Sequence, residues 1–257
     1  MPWSAPLIAL EFLTPLRLRR VERSDDRTFG ESLGWFPAVG LLIGIVLLLL
    51  DRGLEKLLPI GPADALLLVA LALITGGLHL DGVADTADGM AVQGDRATRL
   101  GVMSEGNIGP AGVMSLALVL LVQWTALASL DPPMRSASLV LAPALARWSV
   151  APVAVLFPPA RPRGIGHALQ QGIWPRAVPI SAVIAFGASV ALFGLGGLIL
   201  PVVAAVAAII VAAAVARMLE GVTGDTFGAC IEISQAAVLL FFVAAAHRDW
   251  LDPTFLT

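Results

Sequence analysis

PISAVIAFGASVALFGLGGLILPVVAAVAAIIVAAAVARML, residues 179–219, carries a single charged side chain, Arg217, close to its end. A continuous helix of this length, rising about 1.5 Å per residue, would measure roughly 60 Å, twice the hydrocarbon thickness of a bilayer. Gly194, Gly196, Gly197 and Pro201 supply a break, since proline removes a helical donor and glycine loosens the backbone. The stretch therefore reads as a tight hairpin of two membrane spans. The whole chain agrees with that solvent: 58% hydrophobic, 14% charged, mean hydropathy +0.87, against about 25% charged residues in soluble domains. The expected fold class is all-α, a polytopic integral membrane helical bundle forming one membrane-embedded domain over residues 1–257.

Working outward from the hairpin, apolar stretches predict seven spans, near 34–50, 63–80, 108–130, 138–157, 177–197, 201–219 and 234–249. The stretch from Trp3 to Leu13 is too short to cross and lacks the basic start of a signal peptide, so it is expected as a short interfacial or re-entrant helix. Lys and Arg concentrate in cytoplasmic loops, a bias independent of the hydropathy that placed the spans. With the N-terminus inside, Arg17, Arg19, Arg20, Arg23, Arg27, Arg96, Arg99, Arg161, Arg163, Arg176 and Arg217 fall on the cytoplasmic side. Arg52, Lys56, Arg135 and Arg248 fall outside, and Arg147 lies within a span. Trp35, Trp174 and Trp250 fall near span ends, as interfacial anchors would, whereas Trp124 and Trp148 read as filling hydrophobic volume.

This topology brings TGGLHLDGVADTADGM, residues 75–90, to the cytoplasmic surface at the end of the second span. Asp81, Asp85 and Asp88 are spaced i, i+4, i+7 and share one narrow helical face. Three like charges on one face are tolerable when solvated and favourable when a divalent cation sits against them; Mg²⁺ takes carboxylates together with waters and phosphate oxygens. A second acidic segment, GVTGDTFGACIEISQ at 221–235, lies on the same expected side and places Asp225 and Glu232 at i, i+7. Its Gly221, Gly224 and Gly228 leave room for close approach of backbone or ligand.

Phosphate-binding partners for such a site come from basic residues. FPPARPRGIGHAL at 157–169 offers Arg161, Arg163 and His167, although a cytoplasmic arginine also follows from topology alone. Arg147 is costly inside a span and is expected to pair with a carboxylate or a phosphate. Cys230 is the single cysteine, which excludes an intrachain disulfide and a cysteine-based zinc site. The residues alone thus point to a membrane-embedded, metal-dependent enzyme acting on a phosphorylated substrate at the cytoplasmic face.

TGGLHLDGVADTADGM and VTGDTFGACIEIS closely resemble the signature segments of the cobalamin synthase family, the adenosylcobinamide-GDP ribazoletransferases. Further matches run in family order: FLT at 12–14, WFPAVGLLIG at 35–44, NIGPAGV at 107–113, ARW at 146–148 and ARPRGIG at 160–166. The resemblance implies transfer between adenosylcobinamide-GDP and alpha-ribazole or its 5'-phosphate, giving adenosylcobalamin or its phosphate with release of GMP. It implies Mg²⁺ as cofactor, with Asp81, Asp85, Asp88, Asp225 and Glu232 as ligands. The four aspartates and His79 are the candidate catalytic groups, and Arg161, Arg163, Arg147, Arg96 and Arg99 the candidate phosphate contacts. An inner-membrane location with a cytoplasmic site follows from the same resemblance and from the charge bias; no nucleic-acid partner is expected, and self-association into a homo-oligomer is left open.

Three departures from the family pattern stand out. Ser104, Glu105, Gly106 and Asn107 replace a common Lys-Asp-Ser-Arg, Pro15 follows Thr14 directly, and Gln235 stands where a Glu is common. All leave the aspartates intact. A CDP-alcohol phosphotransferase-like enzyme is the competing reading, but its Ala-Arg continuation is missing after Asp81-Gly82 and Asp88-Gly89. An ion or metal transporter would place acids near the bilayer midplane and often show an internal repeat.

Overall fold

A computed structural model describes residues 4–17, 26–173 and 175–252. Arg19, Arg20, Arg23, Trp3 and Trp174 lie outside the described residues. The elements in chain order are α1 (Ala5–Leu13), α2 (Asp26–Ser32), α3 (Phe36–Leu54), α4 (Ile60–Ile74), α5 (Leu78–Ala91), α6 (Arg96–Val102), α7 (Pro110–Ala128), α8 (Pro132–Trp148), α9 (Val150–Leu156), α10 (Ile165–Gln171), α11 (Ala177–Phe193), α12 (Ile199–Leu219) and α13 (Gly224–Arg248). Among the described residues there is no strand, only one parallel bridge between Pro159 and Val222. This is what lipid demands, because a helix satisfies its backbone hydrogen bonds within one segment.

Among the described residues, five stretches are long and apolar enough to cross a membrane: Arg27–Leu54, Pro110–Ala128, Pro132–Leu156, Ala177–Leu219 and Gly224–Arg248. The pair α4 and α5 makes a sixth only when taken as one broken span, bent by 89°. By length and apolarity alone the described residues thus give five or six stretches, against the seven spans expected. The 43 residues of Ala177–Leu219 form one stretch holding two of the expected spans, α11 and α12, joined by a 3-10 turn at Gly194–Leu198. The expected span 63–80 stops at Ile74, because Gly76 and Gly77 take φ of 61° and 72° and turn the chain into α5. Those left-handed conformations favour glycine.

The α11–α12 break is a reversal. A Cβ on Gly197 would stand 2.2 Å from the Ser189 carbonyl oxygen, so the chain folds tightly back on α11. From there α12 runs antiparallel to α13: Ser234 Oγ donates to the Ala204 carbonyl at 2.9 Å and Cys230 Sγ to that of Ala208 at 3.4 Å. Ala204, Ala208 and Ala212 are fully buried along this seam, where small side chains let helices approach in the absence of a hydrophobic driving force. Central α8 packs against α3 in the same manner, since Gly40 and Gly44 meet the backbone of Ala144 and Val140.

Arg135, expected among outer loop charges, belongs to α8 and is 1% exposed. Its Nη2 bonds Asp51 at 2.6 Å and Asp64 at 2.5 Å, and its Nη1 donates to the Leu127 carbonyl at 3.1 Å. One guanidinium thus ties α3, α4, α7 and α8 together. The expected short N-terminal helix is α1, which buries Ala5, Ile8, Ala9 and Leu13. Trp124, expected to fill interior volume, is 38% exposed and its indole N–H donates to the Gly61 carbonyl; Trp148 is buried against Phe186 as expected.

At the opposite end, α6 is capped by Asp95, which accepts from the Thr98 amide at 2.9 Å; this bond holds its carboxyl below the usual carboxylate range. Arg135→Met leaves Asp51 and Asp64 buried without their cation and should cost about 3–5 kcal/mol, read as a lower midpoint in thermal unfolding of the detergent-solubilised chain. Exposed Arg217→Met serves as the control and should leave the midpoint within a degree or two, since surface substitutions usually stay within about 0.5 kcal/mol.

Candidate active site

Where α5 crosses α13, the two backbones touch. A Cβ on Gly82 would lie 2.6 Å from the Asp225 carbonyl oxygen, and one on Gly228 would lie 3.2 Å from the Gly82 Cα and 3.3 Å from His79. The arginine-bearing loop is fastened to the same place: the Ala160 amide donates to the Val222 carbonyl at 2.8 Å and the Val222 amide to that of Pro158 at 2.9 Å. Gly221 fits against that loop's backbone, and Gly166 against Thr223 and Gly224. Between these elements lies a cavity of about 320 Å³, lined among others by His79, Asp81, Arg161, Arg163, His167, Thr223 and Asp225.

The acids divide by their surroundings. Asp81 and Asp225 sit in the first turns of α5 and α13 and line the cavity; helix starts favour negative charge. Thr223 caps α13, exchanging hydrogen bonds with Thr226, and its hydroxyl reaches Asp225 Oδ2 at 3.3 Å. Asp85, half buried one turn further along α5, feels the charges of Asp81, Asp225 and Asp88 and the opposing charge of Arg161. Asp88 is buried and accepts the Gly109 amide at 2.7 Å and the Gly112 amide at 2.9 Å, one on each oxygen. It serves the exposed N–H groups that begin α7.

Glu232, expected on the face of Asp225, lies two turns deeper and is absent from the cavity lining. Its Oε2 accepts from Gln123 Nε2 at 2.8 Å, and Gln123 Oε1 accepts from Gln235 Nε2 at 2.8 Å. Arg147 is 1% exposed, donates to the Pro143 carbonyl at 2.9 Å and interacts electrostatically with Glu232 and His79. The carboxylate expected near it is present in charge range, while the cavity wall does not include it. His79 does line the cavity, 2% exposed, with its Nε2 unpartnered.

The candidate cations separate as clearly. Arg161 and Arg163 line the cavity, and Arg161 Nη2 also holds the Leu100 carbonyl at 3.0 Å. Arg96 instead donates to the Leu219 carbonyl at 2.7 Å and to that of Ala160, joining α6 to the end of α12 and to the loop. Arg99 donates to the Gly89 and Met90 carbonyls at 3.1 and 2.7 Å, closing the end of α5. Neither lines the cavity.

Among the described residues no three His, Cys, Asp or Glu side chains converge into a ready-made metal cage. The donor set is nonetheless of the kind Mg²⁺ takes, because that ion commonly uses one or two carboxylates and fills its remaining positions with water and substrate phosphate. Asp81 and Asp225 at one cavity, with Asp85 behind them, meet that description. Spacing missed the apolar wall formed by Phe12, Phe36, Phe227 and Ile231. Phe12 and Phe36 lie inside the matches FLT and WFPAVGLLIG, whereas nothing local marks Gln123 as the partner of Glu232.

The profile of a family described as cobalamin-5-phosphate synthase matches residues 5–243. An adenosylcobinamide-GDP ribazoletransferase of Pseudomonas paraeruginosa is 40% identical over 235 residues, covering 91% of this chain and 95% of the relative. Proteins of the same name from Geotalea daltonii and Brevibacillus brevis are 34% and 33% identical, each over 94% of this chain and 97% and 98% of their own lengths. No solved structure matches. Near full-length similarity, together with the two acidic segments meeting at one cavity, makes this integral membrane chain a member of the cobalamin-5-phosphate synthase family.

Proposed function

We propose that the chain joins adenosylcobinamide-GDP to alpha-ribazole, or to its 5'-phosphate, forming adenosylcobalamin or its 5'-phosphate and releasing GMP. The carrying observation is the convergence of Asp81, Asp225, Arg161 and Arg163 on one cavity, in a chain whose relatives are named for this transfer. The new bond forms between a ribose oxygen of the acceptor and the phosphorus that stays with the corrinoid. The bond from that phosphorus to the oxygen bridging to the GMP phosphorus breaks, and GMP leaves with the bridging oxygen. The acceptor hydroxyl's proton passes to a carboxylate at the cavity mouth, Asp81 or Asp225.

Asp81, Asp225 and Asp85 would hold Mg²⁺, which when bound neutralises phosphate oxygens and steadies the entering and leaving oxygens. Arg161 and Arg163 grip the pyrophosphate by charge-assisted hydrogen bonds, in which a guanidinium offers paired donors. Asp88, Arg96 and Arg99 support the site by holding α7, α6 and the end of α5 in place. Arg147 and Glu232 form the buried electrostatic base beneath His79. The positive-inside bias supports an inner-membrane setting with the cavity on the cytoplasmic side.

Membranes holding the chain, incubated with adenosylcobinamide-GDP, alpha-ribazole and Mg²⁺, should release GMP in step with the corrinoid product, followed by chromatography. Folded protein that makes no product beside an active relative would refute the assignment. Asp81→Asn and Asp225→Asn should each lower kcat by at least about a hundredfold with the unfolding midpoint retained; wild-type rates would remove both from the mechanism. Chelation by EDTA should abolish turnover, and added Mg²⁺ should restore it. Arg163→Ala should raise KM for the GDP donor about tenfold or more, whereas Arg99→Ala should lower the unfolding midpoint.

A further inference from the structure

The geometry points to a division inside the cavity: its apolar inner wall receives the planar azole base of the acceptor riboside, and its charged mouth handles the phosphates. The inference rests on the reaction proposed above. Phe36, Phe227 and Ile231 belong to the cavity lining and are only 1%, 5% and 3% exposed, so they back its apolar side. Phe12 completes that wall. Its ring stacks on Phe36 with centroids 5.7 Å apart and planes 22° from parallel, and Phe29 braces it edge-on at 5.1 Å. Held this way, the half-buried Phe12 ring offers a fixed apolar surface against which another planar ring packs in an offset or edge-on arrangement. The charged lining groups sit elsewhere: Asp81 and Arg163 are exposed, and Arg161 and Asp225 are half buried.

Size restricts what enters. At about 320 Å³ the cavity lies near the lower end of small-molecule sites, about 300–1,000 Å³. That volume suits one base with its sugar, and a corrinoid macrocycle with its side arms must remain outside the mouth. Two bases take part in the reaction, the guanine of the donor and the azole of the acceptor. Guanine presents a carbonyl, an amide N–H, an amino group and ring nitrogens, and burying these without partners is costly. Among the buried side-chain nitrogens and oxygens of the lining, His79 Nε2 and His167 Nδ1 have no hydrogen-bond partner. An azole bicycle has one outward ring nitrogen and otherwise apolar edges, so an apolar wall suits it at a lower desolvation cost than guanine. With the base against the aromatic wall, the sugar hydroxyl faces the acids of the mouth, the orientation the transfer needs.

The test measures binding separately from turnover, using the full chain in detergent. Alpha-ribazole alone should raise the thermal midpoint of the wild-type protein, and guanosine at equal concentration should not. Phe12→Ala and Phe227→Leu should each raise the half-saturating alpha-ribazole concentration about tenfold. In turnover, the same variants should raise KM for alpha-ribazole and leave KM for adenosylcobinamide-GDP unchanged. Free benzimidazole should inhibit the unaltered chain competitively against alpha-ribazole, an outcome independent of any effect of substitution on folding. Stabilisation by guanosine in place of alpha-ribazole, a KM change confined to the donor, or benzimidazole competing with the donor would each overturn the inference. Binding of alpha-ribazole that depends on Phe12 without GMP release would refute the proposed reaction while supporting the subsite.

Discussion

A Cβ on Gly82 would stand 2.6 Å from the Asp225 carbonyl oxygen, and Gly228 returns the contact from the other helix. No side chain larger than hydrogen fits at Gly82 without moving backbone, so the crossing of α5 over α13 depends on that glycine. The crossing sets Asp81 and Asp225, on separate helices and far apart in sequence, at one cavity. It also opposes negative charges, and their repulsion is borne by two helix starts, by the Thr223 hydroxyl and by Arg161. Carboxylates held under that repulsion are the groups to which the proposed reaction assigns Mg²⁺.

The remaining polar groups of the bundle serve that arrangement from a distance. Desolvated charge is tolerated when it is paired and hydrogen-bonded. The Arg135 cluster meets this condition and fixes α3, α4, α7 and α8 at the end away from the cavity. Glu232, Gln123 and Gln235 link α7 to α13 in the interior, and Asp88 ties α5 to the start of α7. Helices thus joined hold the cavity walls in register. The loop with Arg161 and Arg163 is held by two backbone hydrogen bonds and by Arg96.

Much of the site was legible because its signals are local. Asp81, Asp85 and Asp88 recur at helical spacing in one segment, and the loop with Arg161 and Arg163 stands out by its prolines and glycines. The same local reasoning grouped residues whose partners lie elsewhere. Glu232 shares a helical face with Asp225, yet seven residues along α13 carry it roughly 10 Å deeper, where Gln123 awaits it. Arg96 and Arg99 look like phosphate contacts until the carbonyl groups at the ends of α5 and α12 claim them. Arg135 resembled a loop charge because Asp51 and Asp64 are remote in sequence.

By itself the sequence determined the solvent, the helical class, the hairpin near Gly194–Leu198 and the acidic and arginine-bearing segments that meet at the cavity. Each of these follows from composition or from a period of a few residues, which neighbouring positions dictate. Tertiary structure alone decided that α5 turns 89° from α4, which acids line the cavity and which are consumed in holding helices, and that Phe12 and Phe36 wall its inner side. Those outcomes depend on which backbones can touch and on which distant carbonyl or carboxylate satisfies a buried donor, relations that no window along the chain contains.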